Sequence, residues 1–209
     1  MSEQPWGERR LTREEINQLP IRRYAGAVHV VRDRGALRAA AVRLGREKIL
    51  GFDTETRPAF RKGQHFLPSL VQLASRREVY LFQLRHMGLP RPLRRILADP
   101  KITKAGVATD HDVSQLQRIG IFHAAGFVDL GHLARHAGLA HHGLRGLAAL
   151  FLGIRIPKQA QRSNWSRPEL SPAQITYAAT DAWAGREIYL RMRKEGLTTT
   201  PAAQPERRT

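Results

Sequence analysis

Two kinds of apolar spacing alternate along this chain, and their alternation limits the possible folds. Ala27 to Val31 and Ile49 to Phe52 are short apolar runs typical of strands, with a helical spacing of apolar residues between them. Two further runs, at residues 70–73 and 79–82, are separated by a polar turn and predict a hairpin. Strand and helix patterns then alternate towards the C-terminus. This order predicts an α/β domain whose mixed β-sheet is flanked by helices.

The last helix has the clearest boundaries in the sequence. Ser171 and Gln174 have the spacing of a capping box, and Pro172 suits the first helical position. Gly196 predicts the end of this helix. Because both ends are defined, side chains four residues apart can be assigned to one face of the helix.

The chain has 209 residues, which is enough for one domain with a substantial core. We expect the domain at residues 1–196, with a lead-in at 1–46, a core at 47–196 and a disordered tail at 197–209. No apolar segment of a secretory signal precedes the domain, and the longest apolar run is too short to span a membrane. A cytoplasmic protein without membrane attachment is therefore expected.

The chain is strongly basic. Its 35 Lys and Arg residues exceed its 18 Asp and Glu residues, which gives a formal net charge of +17. A field of this sign attracts polyanions such as nucleic acid or an anionic membrane surface. Arg supplies 29 of the bases, and its planar guanidinium favours bidentate contacts to phosphate. The absence of cysteine excludes a disulfide scaffold, a thiol nucleophile and a cysteine-ligated zinc site.

Two carboxylates follow the apolar run that ends at Phe52. Asp53 and Glu55 are two residues apart, so on a strand their side chains lie on the same face. Neighbouring acids repel each other unless a cation lies between them, and Mg²⁺ or Mn²⁺ takes oxygen ligands of this kind. The pair indicates either a metal site or a strand end that is exposed to solvent.

Further acidic residues lie at two other places. Tyr177 and Asp181 share one face of the last helix, among small and apolar residues, where Asp181 needs a partner. A Tyr–Asp hydrogen bond at a helix surface is the alternative. Asp110 and Asp112 lie where a helix begins after a strand, and capping explains one of them but not both. Asp112 falls in the first turn, close to the strand end where sites in open α/β sheets form.

Common catalytic and nucleotide-binding motifs are missing from the sequence. It contains no P-loop, no G-x-G-x-x-G and no G-x-S-x-G. His132 and His136 have the spacing of metal ligands, but no Glu completes an H-E-x-x-H motif. We assign these histidines no metal.

Three segments taken together resemble a known family. Residues 51–56 (GFDTET), 106–116 and 177–181 (YAATD) match, in order and spacing, the three exonuclease motifs of the DEDD superfamily. A Tyr four positions before the last Asp, with Thr176 where the other branch has His, is similar to the DEDDy branch. Ribonuclease D, the Werner exonuclease domain and the proofreading domains of family A DNA polymerases belong to that branch. The resemblance covers residues 47–195.

The resemblance implies a ribonuclease H-like fold and a 3′-5′ exonuclease that uses two divalent metal ions, Mg²⁺ or Mn²⁺. It implies a single-stranded 3′ end of DNA or RNA as substrate and nucleoside 5′-monophosphates as products. Asp53 would bridge both ions, Glu55 and Asp181 would complete one metal site, and Asp112 would support the second. Tyr177 would orient the attacking water. Family spacing favours Asp112 over its neighbour Asp110 for the second motif.

Four residues are predicted to contact the substrate. Thr54 lies between the first two acids, whereas Lys158 and Arg162 would contact phosphates and Trp165 would stack on a base. The alternative for this last segment is a basic loop whose Trp is anchored in the core.

Phe60 and Phe66, in the loop after Glu55, are further candidates for stacking on the terminal base. Two other functions fit the same sequence: a nucleic-acid-binding module with a silent exonuclease fold, and an exonuclease subunit of a larger repair or processing complex. The complete set of four acids and Tyr177 favours an active enzyme over a silent module.

Overall fold

A computed structural model of the protein describes residues 10–59, 61 and 63–198. Residues 199–209, most of the predicted tail, and Phe60 lie outside the described residues. No helix in the described ranges is both long and apolar enough to cross a membrane.

Six strands form one mixed sheet, which confirms the predicted fold class. Their order across the sheet is β1-β4-β3-β2-β5-β6. Strand β3 runs antiparallel to both of its neighbours, and all other adjacent strands are parallel. The strands are β1 (Ala27–Val31), β2 (Ile49–Thr56), β3 (Pro68–Ala74), β4 (Glu78–Gln83), β5 (Thr103–Gly106) and β6 (Phe127–Asp129).

Helices cover both faces of this sheet. The described residues form α1 (Arg13–Gln18), α2 (Arg34–Leu44), α3 (Leu84–Met87), α4 (Arg91–Ala98), α5 (Thr109–Gln117), α6 (Leu130–His136), α7 (Leu144–Leu152) and α8 (Pro172–Lys194). The predicted capping box begins α8: the Ser171 hydroxyl accepts from the Gln174 N–H, and the Gln174 side chain accepts from the Ser171 N–H.

The core is divided between the two faces of the sheet. On one face, α2 and α4 pack against side chains of the central strands such as Val71 and Leu73. On the other face, α8 covers Leu70 and Leu81 with alanines, including Ala178 and Ala182. Small side chains on α8 let the helix lie close to the sheet.

Gly51 in β2 marks the closest approach of α8 to the sheet. A Cβ atom at this position would lie 1.8 Å from the carbonyl oxygen of Ala182. On the helix, a Cβ at Gly185 would lie 3.1 Å from the carbonyl oxygen of Ala105 in β5. The two glycines therefore allow the backbone of α8 to pack directly on β2 and β5.

Candidate active site

Three carboxylates converge where α8 crosses β2. Asp53 and Glu55 project from the same face of β2, and Asp181 projects from α8. One carboxylate oxygen from each residue lies within 4.8 Å of the others. The pairing of β2 with β3 shifts register between Glu55 and Thr56. Irregularities of this kind re-aim side chains at strand ends.

Burial and mutual repulsion oppose ionisation of this group. Burial raises the pKa of Asp53 well above its ordinary value, and the charges of Asp181 and Asp112 raise it further. Burial, together with the charges of Asp53, Asp181 and Asp112, raises the pKa of Glu55 to about 10. The pKa of Asp181 is raised by burial to about 6, although a hydrogen bond from Tyr177 and the charge of Arg145 both act to lower it.

The donor set fits a divalent metal ion. Several carboxylates share one largely buried site, and hard divalent ions take oxygen ligands. Asp181 Oδ1 is buried and has no hydrogen-bond partner among the described residues. A coordinating cation would both satisfy this oxygen and reverse the repulsion that raises the pKa values.

Asp112 lies beside the three acids, on the first turn of α5. Burial raises its pKa to about 6, and its charge acts on both Asp53 and Glu55. The Thr54 hydroxyl hydrogen-bonds to it, so Thr54 orients an acid of the site. Asp110 instead points outwards: its side chain is 77% exposed and lies 3.8 Å from His132. Asp112, unlike the exposed Asp110, is thus close enough for its charge to act on these acids.

Asp129, which the sequence analysis did not identify, holds α5 in place. One of its carboxylate oxygens accepts from the Thr109 N–H at 3.0 Å, at the start of α5. The other accepts from the His132 N–H at 3.0 Å and caps α6. The cap is visible in the sequence as an Asp between a strand and a helix, but the contact to α5 depends on the adjacency of β5 and β6. Ala108, with φ of 58°, makes the turn that leads into α5.

Tyr177 lies one helical turn before Asp181 and faces the same site. Its hydroxyl donates to Asp181, and burial raises the pKa of Tyr177 above its ordinary value, as do the charges of the neighbouring acids. This pair lies within the acidic site rather than on an exposed helix surface, because Tyr177 is only 6% exposed.

Asp53, Glu55 and Asp181 line a cleft of about 410 Å³ that also contains Gln161 and Arg145. The sequence analysis identified neither of these residues. Arg145 is close enough to Asp181 for its charge to favour the ionised carboxylate. No local signal separates this arginine from the 28 others in the chain.

The prediction that Trp165 stacks on a base is wrong for this structure. Its side chain is 1% exposed and packs in the core, with its ring centroid 6.0 Å from that of Tyr177. Segment 158–165 thus follows the alternative in which its Trp is anchored inside. Lys158 and Arg162 are exposed, and their predicted phosphate contacts stay predictions. The Phe66 ring is covered by the Arg57 guanidinium at 4.8 Å.

Comparison with known proteins gives the same assignment as the three motifs. The chain is 33% identical over 164 residues to the bifunctional 3′-5′ exonuclease/ATP-dependent helicase WRN of Mus musculus, a match that covers 76% of this chain and 12% of that protein. It is 33% identical over 162 residues to ribonuclease D of Gluconacetobacter diazotrophicus, a match that covers 74% of this chain and 40% of the relative. The chain therefore spans less than half the length of these relatives.

A solved structure with a similar fold is the EXO domain of Nibbler from Aedes aegypti. The two structures superpose with a TM-score of 0.74 at 26% identity, over 84% of this chain and 91% of that domain. This similarity confirms the ribonuclease H-like DEDD exonuclease fold. Residues 28–197 match the family model described as 3′-5′ exonuclease. The chain belongs to the 3′-5′ exonuclease family.

Proposed function

We propose that this protein is a metal-dependent 3′-5′ exonuclease that hydrolyses the terminal phosphodiester bond of a DNA or RNA single strand. The products would be a nucleoside 5′-monophosphate and a strand with a new 3′-hydroxyl. The observation that supports this proposal is the convergence of Asp53, Glu55 and Asp181 in one cleft, within 4.8 Å of one another and beside Tyr177.

The four acids would hold two divalent ions, Mg²⁺ or Mn²⁺. By the family resemblance, Asp53 would be shared between both ions, Glu55 and Asp181 would complete one site and Asp112 would support the other. Such a pair of ions stabilises the attacking and leaving oxygens of an in-line displacement and provides hydroxide near neutral pH.

Tyr177 would orient the attacking water. Its hydroxyl is held by Asp181 and lies at the wall of the cleft. Thr54 would keep Asp112 directed at the site through its hydrogen bond. Both side chains would thus fix geometry rather than accept the proton of the water.

The charge distribution suits a polyanionic substrate. Without the four acids of the site, 35 bases face 14 acids, a net charge of +21 around a pocket of −4. Two divalent ions would bring the pocket close to neutrality. The surrounding bases, including Lys158 and Arg162, would attract the strand, and the neutralised pocket would then admit its terminal phosphate.

A degradation assay tests this proposal. Oligonucleotides labelled at the 3′ end, as single-stranded RNA, single-stranded DNA and recessed duplex, are incubated with Mg²⁺ or with Mn²⁺. The wild-type protein is expected to release labelled mononucleotide from a single strand. Asp53→Asn is expected to release none.

Asp110→Asn is the matched control, because it removes one carboxylate from an exposed position two residues from Asp112. It should retain wild-type release. Full activity of Asp53→Asn, or absence of labelled mononucleotide from every substrate with the wild-type protein, would contradict the proposal.

A further inference from the structure

A second cavity, which we call the basic cavity, adjoins the acidic cleft. Its volume is about 860 Å³, compared with about 410 Å³ for the cleft. No carboxylate is among the described residues that line it. Its cationic side chains are Arg10, Arg13, Arg23, Arg145, Arg155 and Lys158.

Two sets of backbone contacts fix the walls of the basic cavity. The Leu11 N–H donates to His141 Nε2 at 3.1 Å and joins the segment before α1 to the loop before α7. Ile21 forms a β-bridge with Arg155. The Arg155 N–H donates to the Pro20 carbonyl at 2.9 Å, and the Arg22 N–H donates to the Arg155 carbonyl at 3.1 Å. The cations are therefore presented from a held surface rather than from a free N-terminal segment.

The basic cavity lies next to the acidic cleft. Arg145 lines both of them. A smaller cavity of about 250 Å³ is lined by Tyr177, which also lines the cleft, and by Arg23 and Gln159, which also line the basic cavity. The bases are therefore neighbours of the acids that would receive the 3′ end of a strand.

One face of α1 forms part of the wall of the basic cavity. Arg13, Ile16 and Asn17 of α1 line it, and these are the positions that share one face of a helix. Glu14 and Glu15 of α1 are not among the lining residues. In the opposite wall, the Nε of Arg155 is buried without a hydrogen-bond partner in the described part of the chain.

Half of these cations lie outside the segment shared with the family. The family model matches residues 28–197, whereas Arg10, Arg13 and Arg23 precede it. Half of the cations of the basic cavity thus come from the segment before the matched region.

We propose that the basic cavity binds the sugar-phosphate backbone of the substrate strand, upstream of the nucleotide that is removed. The proposal rests on the proposed exonuclease function. Guanidinium groups bind phosphate oxygens bidentately and do not read the base, so this contact would favour longer strands of any sequence. The acidic cleft would then receive the 3′ end while the cavity holds the strand between successive cleavages.

A triple variant, Arg10→Gln/Arg13→Gln/Arg23→Gln, tests the proposal. All three side chains are exposed, and the variant leaves Arg145 and Arg155 in place. The control is Arg34→Gln/Arg38→Gln/Arg46→Gln, which removes the same charge from exposed positions on and just after α2. Helix α2 packs on the face of the sheet opposite α8.

Two measurements separate the variants. The first is the ratio of kcat/KM for a single strand of about 12 nucleotides to that for a trinucleotide, with DNA and with RNA. The cavity variant should lower this ratio on the order of tenfold, because only the longer strand reaches the cavity. The second is the affinity for the longer strand in EDTA at several salt concentrations. Loss of three phosphate contacts should reduce the slope of log K against log[salt] by about 2.

The control variant should keep both the wild-type ratio and the wild-type slope. Unchanged values in the cavity variant, or equal losses in the two variants, would overturn the proposal. If the wild-type protein releases no nucleotide at all, the exonuclease proposal fails instead, and the binding measurement in EDTA still decides whether the cavity holds a strand.

Discussion

Single residues of the acidic site are held together against their own repulsion. Asp53, Glu55 and Asp181 are buried or half-buried, and each has a raised pKa. A raised pKa of an acid in the folded state means that its ionisation favours unfolding. The packing of α8 on β2 therefore maintains an arrangement that the carboxylates alone would oppose, and a bound cation would reverse the sign of this effect.

Asp53→Asn should increase stability when no metal is present. The substitution removes one buried charge from the group, so we expect the free energy of unfolding in EDTA to rise by about 1–3 kcal/mol. Adding Mg²⁺ or Mn²⁺ should raise the Tm of the wild-type protein, because an ion that binds only the folded state stabilises it. Thermal melts with and without metal test both expectations. A variant whose Tm in EDTA is lower than that of the wild type would contradict the first expectation. A metal-induced rise in Tm that is as large in the variant as in the wild type would contradict the second.

Tyr177→Phe should slow turnover without preventing metal binding. The variant keeps the ring, which packs near Trp165, and loses only the hydroxyl that donates to Asp181. We expect kcat to fall by about 10- to 100-fold. The metal-induced rise in Tm should persist. Unchanged kcat would show that the water is oriented by another group.

The sequence predicts that a residue belongs to the site where its type and its spacing together indicate one chemistry. Asp53, Glu55 and Asp181 could be selected because acids rarely follow apolar runs or share a helix face with alanines. Trp165 could not be placed, because a Trp in a basic loop suits a stacking platform and a core anchor equally well. Arg145 reaches Asp181 only through the packing of α7 against α8, and no local pattern shows which helices meet.

At the scale of elements, the position of Asp181 depends on how closely α8 approaches β2. Gly51 is the point of closest contact. The sequence predicts both elements, because β2 is an apolar run and α8 has a capping box. It does not predict that they touch at Gly51, since this depends on the order of strands in the sheet and the angle at which the helix crosses them.

Gly51→Ala should therefore displace α8 and impair the site. A Cβ atom at 1.8 Å from the Ala182 carbonyl oxygen cannot be accommodated without moving the backbone of the helix. We expect a loss of about 3 kcal/mol or more in the free energy of unfolding and a loss of the metal-induced rise in Tm. Urea denaturation and thermal melts measure the two effects.

Gly185→Ala is the graded comparison, because its Cβ would lie at 3.1 Å from the Ala105 carbonyl oxygen and Ala favours the helix. It should cost less than Gly51→Ala. Equal stability of Gly51→Ala and the wild type would show that α8 is not fixed by this contact.

For the molecule as a whole, arginine supplies most of the positive charge. Of 35 bases, 29 are Arg and only six are Lys. Lys104 in β5 differs from the exposed bases because its side chain is fully buried. Its Nζ donates to the Asp99 carbonyl at 2.7 Å, and burial lowers its pKa to about 8.

Lys104 should consequently contribute a stability that rises with pH above about 8, opposed by acids with a raised pKa such as Glu55. Below this value Lys104 is protonated in both the folded and the unfolded states, and it makes no contribution to the slope. Between pH 8 and its ordinary pKa of 10.5 this group binds more protons in the unfolded state, so its contribution to the free energy of unfolding increases. We expect this contribution to grow by about 1–3 kcal/mol across the interval.

Lys104→Met provides the reference for that measurement. Urea denaturation of both proteins at several pH values gives the difference between their free energies of unfolding, in which the contributions of the other titrating groups cancel. The variant should lack the contribution of Lys104 above pH 8. A parallel pH dependence in the two proteins would show that Lys104 is not the group responsible.

The acidic site takes its members from distant parts of the chain: Asp53 and Glu55 from β2, and Tyr177 and Asp181 from α8. A ribosome synthesises β2 long before α8, and residues 172–194 emerge after every strand of the sheet. A nascent chain that exposes the first two acids therefore still lacks the other two groups. The site would therefore assemble only after α8 has emerged and packed on β2.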